Sequence, residues 1–134
     1  MKVLFGSCLV VAIFAGFIMG APAQSQTAAP ALVSGSGSAA MLTGTKGMTL
    51  YVYDKDVSGK SNCNGRCATN WPPLSASASD RANSKWTVFT RDDGSLQWAY
   101  DGKAVYYWKN DKVPGDTTGD GVGGKWHVAR PAAP

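Results

Sequence analysis

Five residues recur at one offset of 55 positions: Gly47 and Gly102, Tyr51 and Tyr106, Tyr53 and Trp108, Asp56 and Asp111, Trp71 and Trp126. A match confined to glycine, aromatic and aspartate positions points to one supersecondary unit used twice. Whatever fold the chain adopts must therefore place two copies of "Y-x-[FWY]-x-x-D" in related surroundings, one in "TLYVYDKD" and one in "AVYYWKND".

Each copy begins as two strand-like runs about a glycine turn, "AAMLTG-TKG-MTLYVY" and "SLQWAY-DGK-AVYYW". Asp101-Gly102 is a strong hairpin signal, because glycine takes a positive φ without steric cost, and Lys46-Gly47 is a weaker one. A further hairpin turns at Asp93-Gly94. The pattern predicts strands over 39–44, 48–54, 86–91, 95–100, 103–108 and 125–130, with no sustained helical period. Side chains alternate across a strand, so Tyr51 and Tyr53 share one face opposite Leu50 and Val52, and Tyr106 and Trp108 oppose Val105 and Tyr107. Strands apolar on both faces belong at the centre of a covered sheet. The expected class is all-β, a small antiparallel sandwich or barrel built from two pseudo-symmetric hairpin-plus-loop repeats at about 39–73 and 94–128.

The organisation around that domain follows from composition. Residues 1–23 carry Lys2, an apolar run and a small-residue site ending at Ala23, the layout of a cleaved secretory signal peptide. Residues 24–38, "QSQTAAPALVSGSGS", offer little to bury and are expected to form a flexible linker. The single β-domain then runs over 39–134. No stable membrane insertion is expected after cleavage, since Gly6, Gly16 and Gly20 interrupt or end the one long apolar run. Cys8 lies within that run and leaves with it.

Charge narrows the function classes. The chain has 13 Lys and Arg against 9 acidic residues, every one of them aspartate, and a single histidine, His127. The basic residues are scattered, which gives no support to nucleic-acid binding. With no glutamate and one histidine, acid-base catalysis has few candidates, and no serine is paired with His127 by any motif. The expectation is a protein without catalytic residues and without a cofactor.

Three local motifs carry alternatives. Asp56 and Asp111 fall just past a strand end, where a short carboxylate accepts backbone N–H groups and fixes a turn; a carboxylate pair meeting near the pseudo-twofold is the sharper possibility. Cys63 and Cys67, in "CNGRC", are the cysteines left after cleavage. In an oxidising compartment they read as a disulfide closing a small loop, with a redox dithiol or a metal site as alternatives. "DTTGDGVGG" places Asp116, Thr118 and Asp120 like the first ligands of a calcium loop, but His127 stands where a bidentate glutamate belongs and no helices flank it. A plain Asp-Gly turn is the simpler reading. At the same offset the cysteine loop and this loop are equivalent crossovers, each ending at a tryptophan. One is expected to be tightened covalently and the other by turn hydrogen bonds, so reduction should loosen the first half selectively.

The doubled motif, with the cysteine, Trp-Pro-Pro and glycine-rich segments in order between about 40 and 131, resembles the bacterial family of secreted repeat proteins, many of them predicted lipoproteins, described by Y-x-[FWY]-x-x-D. The resemblance implies export and the doubled architecture, and it brings no catalytic residues. A lipobox cysteine is missing here. The function expected is an exported non-catalytic β-domain, a binding or accessory module whose partner is an envelope component or a protein. A periplasmic redox or metal-handling protein using Cys63 and Cys67, or the loop of Asp116 to Asp120, is the alternative.

Overall fold

The computed structural model describes residues 28–133. The expected signal peptide lies outside those residues, as do 24–27 of the expected linker. Among the described residues seven short strands carry the fold: β1 (Ala31–Ser34), β2 (Met41–Gly44), β3 (Tyr51–Tyr53), β4 (Trp86–Thr90), β5 (Leu96–Tyr100), β6 (Lys103–Ala104) and β7 (Trp126–Val128). All pairings are antiparallel, in small sheets ordered β1-β2, β3-β7 and β4-β5-β6. The protein is all-β in class, and its sheets do not close into a barrel.

The expected linker needs correction. Residues 31–34 form β1, paired along its whole length with β2, Ala31 opposite Gly44 and Ser34 opposite Met41. Leu32 and Val33 give this segment the β-forming side chains that its neighbours lack, and the Ser-Gly run after it is the turn, with Gly35 and Gly37 both at positive φ. Composition over fifteen residues averaged a strand and a turn into an apparent tether.

A second difference is α1 (Arg66–Asn70), a short helix inside the cysteine segment. Cys63 and Cys67 are joined as a disulfide with Cα atoms 5.1 Å apart, so the chain between them must coil. The Trp71 N–H donates to the Cys67 carbonyl at 2.8 Å and closes the last turn. Five residues are too few to leave a periodic signature in sequence.

The repeats are interlocked rather than stacked. β3, from the first, pairs with β7, from the second, Tyr53 opposite Trp126. In the mirror arrangement the strand through Tyr106 runs against the segment before Leu74: Tyr107 N–H donates to Pro72 at 2.7 Å and Lys109 N–H to Asn70 at 3.1 Å. Between them Tyr51 and Tyr106 exchange both backbone hydrogen bonds, at 2.8 and 3.0 Å. Two repeat-equivalent residues facing each other in this way mark the pseudo-twofold axis.

The paired central strands separate two apolar clusters. Leu42, Leu50, Leu74, Trp86, Trp98 and Val105 fill one, with Val52 and Tyr107 against it. Tyr51, Cys63, Trp71, Tyr106, Trp126 and Val128 fill the other, with Tyr53 and Trp108 at its margin. Alternation along the strands thus sends each motif's aromatics to the same side. Tyr107, on the opposite face, is half-buried over Gly44, where a Cβ would collide with its hydroxyl oxygen.

Candidate functional site

The motif aromatics meet in a single column. Tyr53 stacks on Trp126 with centroids 4.3 Å apart, Trp126 on Trp71 at 3.8 Å, and Trp71 on Trp108 at 4.0 Å. Tyr51 presents its edge to Trp71 at 5.4 Å and Tyr106 to Trp126 at 5.2 Å. The axis passes between Trp71 and Trp126, so the second half of the column repeats the first. Trp71 and Trp126 are buried, Tyr51 and Tyr106 fully so, and the terminal rings Tyr53 and Trp108 reach partway to solvent. Stacked and edge-on rings at these separations add to the energy of their buried area.

Each motif tyrosine hydrogen-bonds the motif aspartate of the other repeat. The Tyr51 hydroxyl donates to Asp111 Oδ2 at 2.6 Å, and the Tyr106 hydroxyl donates to Asp56 Oδ2 at 2.6 Å. The remaining carboxylate oxygens do the turn-fixing work: Asp56 Oδ1 accepts the Asn62 N–H at 2.7 Å, and Asp111 Oδ1 accepts the N–H and hydroxyl of Thr118. Each aspartate therefore closes its own turn and satisfies a buried phenol across the axis. The turn role was readable from position, whereas the tyrosine donor was not, because the offset pairs Tyr51 with Asp56 in sequence and the fold exchanges them. Burial, reinforced by the aspartates, raises both phenols far above their ordinary range.

Around Tyr106 lies a polar network that the motifs do not announce. Arg91 is buried, and its guanidinium donates to Gln97 Oε1, to Ser61 Oγ at 3.0 Å and to the Cys63 carbonyl at 2.6 Å. Gln97 in turn donates to the Val105 carbonyl at 2.9 Å. Ser61 and Tyr106 hydroxyls lie 2.6 Å apart, which links arginine to Asp56 through two hydroxyls. Burial pushes the Asp56 carboxyl up, opposed by the Tyr106 hydroxyl, the Asn62 N–H and the charge of Arg91. A buried guanidinium persists only when its donors are met, and here backbone and side-chain acceptors meet them. "TRDDG" reads as a solvent-exposed hairpin tip, so Arg91 carried no sequence signal.

The remaining candidates are dispersed. Cys63 is fully buried, and its carbonyl is held by Arg91. Asp116 accepts the backbone N–H groups of Lys112 and Val113, Thr118 donates to Asp111, and Asp120 accepts the Val128 N–H. Asp116, Thr118 and Asp120, the residues of the calcium-loop pattern, thus face three different partners. Among the described residues no cluster of three His, Cys, Asp or Glu side chains could hold a metal ion, and no helix is long and apolar enough to cross a membrane.

Among the open grooves of the described residues, one of about 440 Å³ continues into another of about 330 Å³ past Val52, Asp54, Asp101 and Lys103, and a further one of about 590 Å³ lies beside Arg130 and Pro131. The floor of the first is Val52, Val105 and Val128, and its walls bring Asp54, Asp101, Lys103, His127 and Arg130 together. His127 Nε2 lies 2.8 Å from Asp54 Oδ2 in the open. Val52 and His127 sit directly opposite each other on β3 and β7, so the groove is built on the strand pair that joins the repeats.

A family model described as a secreted repeat of unknown function matches residues 38–75 and 87–130, more than half of the chain. No curated protein and no solved structure matches it. The two matched segments coincide with the two interlocked halves, and the family's description assigns the chain to a secreted or periplasmic location.

Proposed function

The chain belongs to this family of secreted repeats, and we propose that it serves as an exported, non-catalytic module that holds a polar component of the bacterial envelope in the groove over Val52. One observation carries the reading: most of the motif aromatics are spent on the core, and this groove, with Tyr100 on its wall, is lined by charges of both signs on an apolar floor. A shallow site of that composition suits a polar, extended chain contacted by hydrogen bonds and paired charges, with aliphatic contact beneath. The tryptophans other than Trp108 are buried and offer no face to a sugar ring. The engagement of the side chains that could do chemistry supports a non-catalytic role. The cysteines are bonded to each other, Asp56 and Asp111 are committed to tyrosines, and His127 Nε2 is engaged by Asp54 at the surface.

The test is a titration of isotope-labelled protein with solubilised peptidoglycan fragments and lipopolysaccharide, followed by amide chemical shifts. Binding in the groove shifts Val52, Lys103 and His127, and Lys103→Glu weakens it about tenfold, the loss of roughly 1.4 kcal/mol from one charged contact reversed in sign. Shifts confined to other surfaces, or no response to any of these polymers, would sink the reading.

A further inference from the structure

We propose that the aromatic column and its two tyrosine-aspartate pairs form a one-electron relay, which takes an oxidising equivalent from a surface radical and holds it as a buried tyrosyl radical. The observation behind it is a coincidence of two geometries that core packing alone does not require. Four π-systems are stacked at centroid separations of 3.8 to 4.3 Å from one partly exposed end to the other. The two inner rings each touch a phenol whose proton already points at a carboxylate 2.6 Å away.

The steps balance. A one-electron oxidant of the radical class, such as the carbonate radical anion, removes one electron from the indole of Trp108 and is reduced to carbonate, leaving an indole radical cation. The hole passes to Trp71 and Trp126 by electron exchange between stacked rings, with no bond formed or broken. Trp71 then takes an electron from Tyr51, or Trp126 from Tyr106. As that electron leaves, the phenolic proton crosses its hydrogen bond to Asp111 or Asp56, leaving a neutral tyrosyl radical, a neutral carboxylic acid and a restored indole. An ascorbate-class donor later supplies one electron, the proton returns to the phenolate oxygen, and the site is reset.

The carboxylate decides the direction. A phenol that can hand its proton to a base in contact is oxidised by an indole radical cation, whereas a buried phenol without one must form a cation in a low-dielectric interior, where isolated charge is costly. The proton also has nowhere to go without the electron, because burial and the aspartate keep both phenols protonated far into the alkaline range. Partly exposed Tyr53, at the column's end, carries no such acceptor in contact and acts as an entry point rather than a store.

Flash oxidation of the purified chain with photogenerated tris(bipyridine)ruthenium(III) tests this, with radicals identified by optical transients and electron paramagnetic resonance. The expected sequence is an indole radical that decays as a long-lived, hydrogen-bonded tyrosyl radical grows, with slower growth in deuterium oxide. Tyr51→Phe with Tyr106→Phe keeps the rings and removes the phenols, and should cut the long-lived tyrosyl yield at least tenfold while prolonging the indole radical. Asp56→Asn with Asp111→Asn keeps the phenols and removes the proton acceptors, and should lower the yield to a similar degree. An indole radical in the parent chain that decays with no tyrosyl product overturns the proposal. So does a tyrosyl radical of unchanged yield and lifetime in either folded double variant.

Discussion

Gly119 sits where two rings of the column, Trp71 and Trp108, converge with the edge-on ring of Tyr51. A Cβ there would lie 2.9 Å from Trp71, 2.9 Å from Tyr51 and 3.0 Å from Trp108. These are ring atoms within a packed stack, and no single side-chain rotation relieves all three, so Gly119→Ala is expected to destabilise the protein by about 1–3 kcal/mol, the usual cost of overpacking. A denaturant midpoint equal to the parent's would refute the crowding. Asp56 supplies a test of a different kind. Its carboxyl is raised above the 3.8 of a free aspartate, chiefly by burial, so the folded state binds a proton more readily than the unfolded one. Its contribution to stability is therefore fully present below the unfolded pKa and is lost as pH rises through the folded one. Asp116 has the opposite sign: backbone N–H groups lower its pKa, and its contribution is lost on acidification. Stability of the parent relative to Asp56→Asn should rise as pH falls from neutral toward 3.8, measured by urea unfolding across that range. A difference that is flat, or that falls on acidification, would mean that Asp56 is not the proton-binding group.

The two crossovers show how one geometric task is met by different chemistry. In the first, the Cys63–Cys67 disulfide and α1 deliver Trp71 to the column. In the second, Asp120 N–H donates to the Thr117 carbonyl, the Asp120 carboxylate receives the Val128 N–H, and Asp111 holds Thr118 before Trp126 is reached. That equivalence was legible in the offset, as were the hairpins at Asp93-Gly94 and Asp101-Gly102, because glycine turns and alternation are local signals. β1 and α1 were not legible. One is a strand paired along the edge of β2, and the other is a five-residue helix that begins inside the disulfide loop. Closing a loop this short constrains the unfolded chain by about 2 kcal/mol, and reduction should lower stability by about that amount. The stacking of Trp71 on both Trp126 and Trp108 changes the expected pattern of loosening. Hydrogen exchange after reduction should accelerate over residues 63–71 and also around Trp126, while β4 and β5 stay protected. Loosening confined to the cysteine loop would show that the column does not transmit it.

A repeat seen in sequence leaves open whether its copies stand as neighbours or as halves of one core, and the exchange of partners decides between these. Tyr51 meets Asp111, Tyr106 meets Asp56, β3 pairs with β7, and Ala129 N–H donates to Leu50 as Leu74 N–H donates to Val105. Every one of these contacts crosses between repeats, and none could be read from either copy alone, since a sequence offset aligns equivalent residues without saying which of them touch. The consequence is that neither half owns a core. Cut apart in the exposed loop after Ser77, a first fragment would expose Tyr51 and Trp71 and a second Tyr106 and Trp126, with a buried tyrosine in each deprived of its carboxylate. Leaving such a group unsatisfied costs about 1–3 kcal/mol by itself, on top of the lost aromatic contacts, and a half-length chain has little other apolar surface to bury. Each fragment is therefore expected to be unfolded alone, and an equimolar mixture should recover the near-ultraviolet circular dichroism of the stacked indoles. A fragment that shows that spectrum alone, with a cooperative melt, would mean that a single repeat is an autonomous fold and that the exchanged hydrogen bonds are decoration on it.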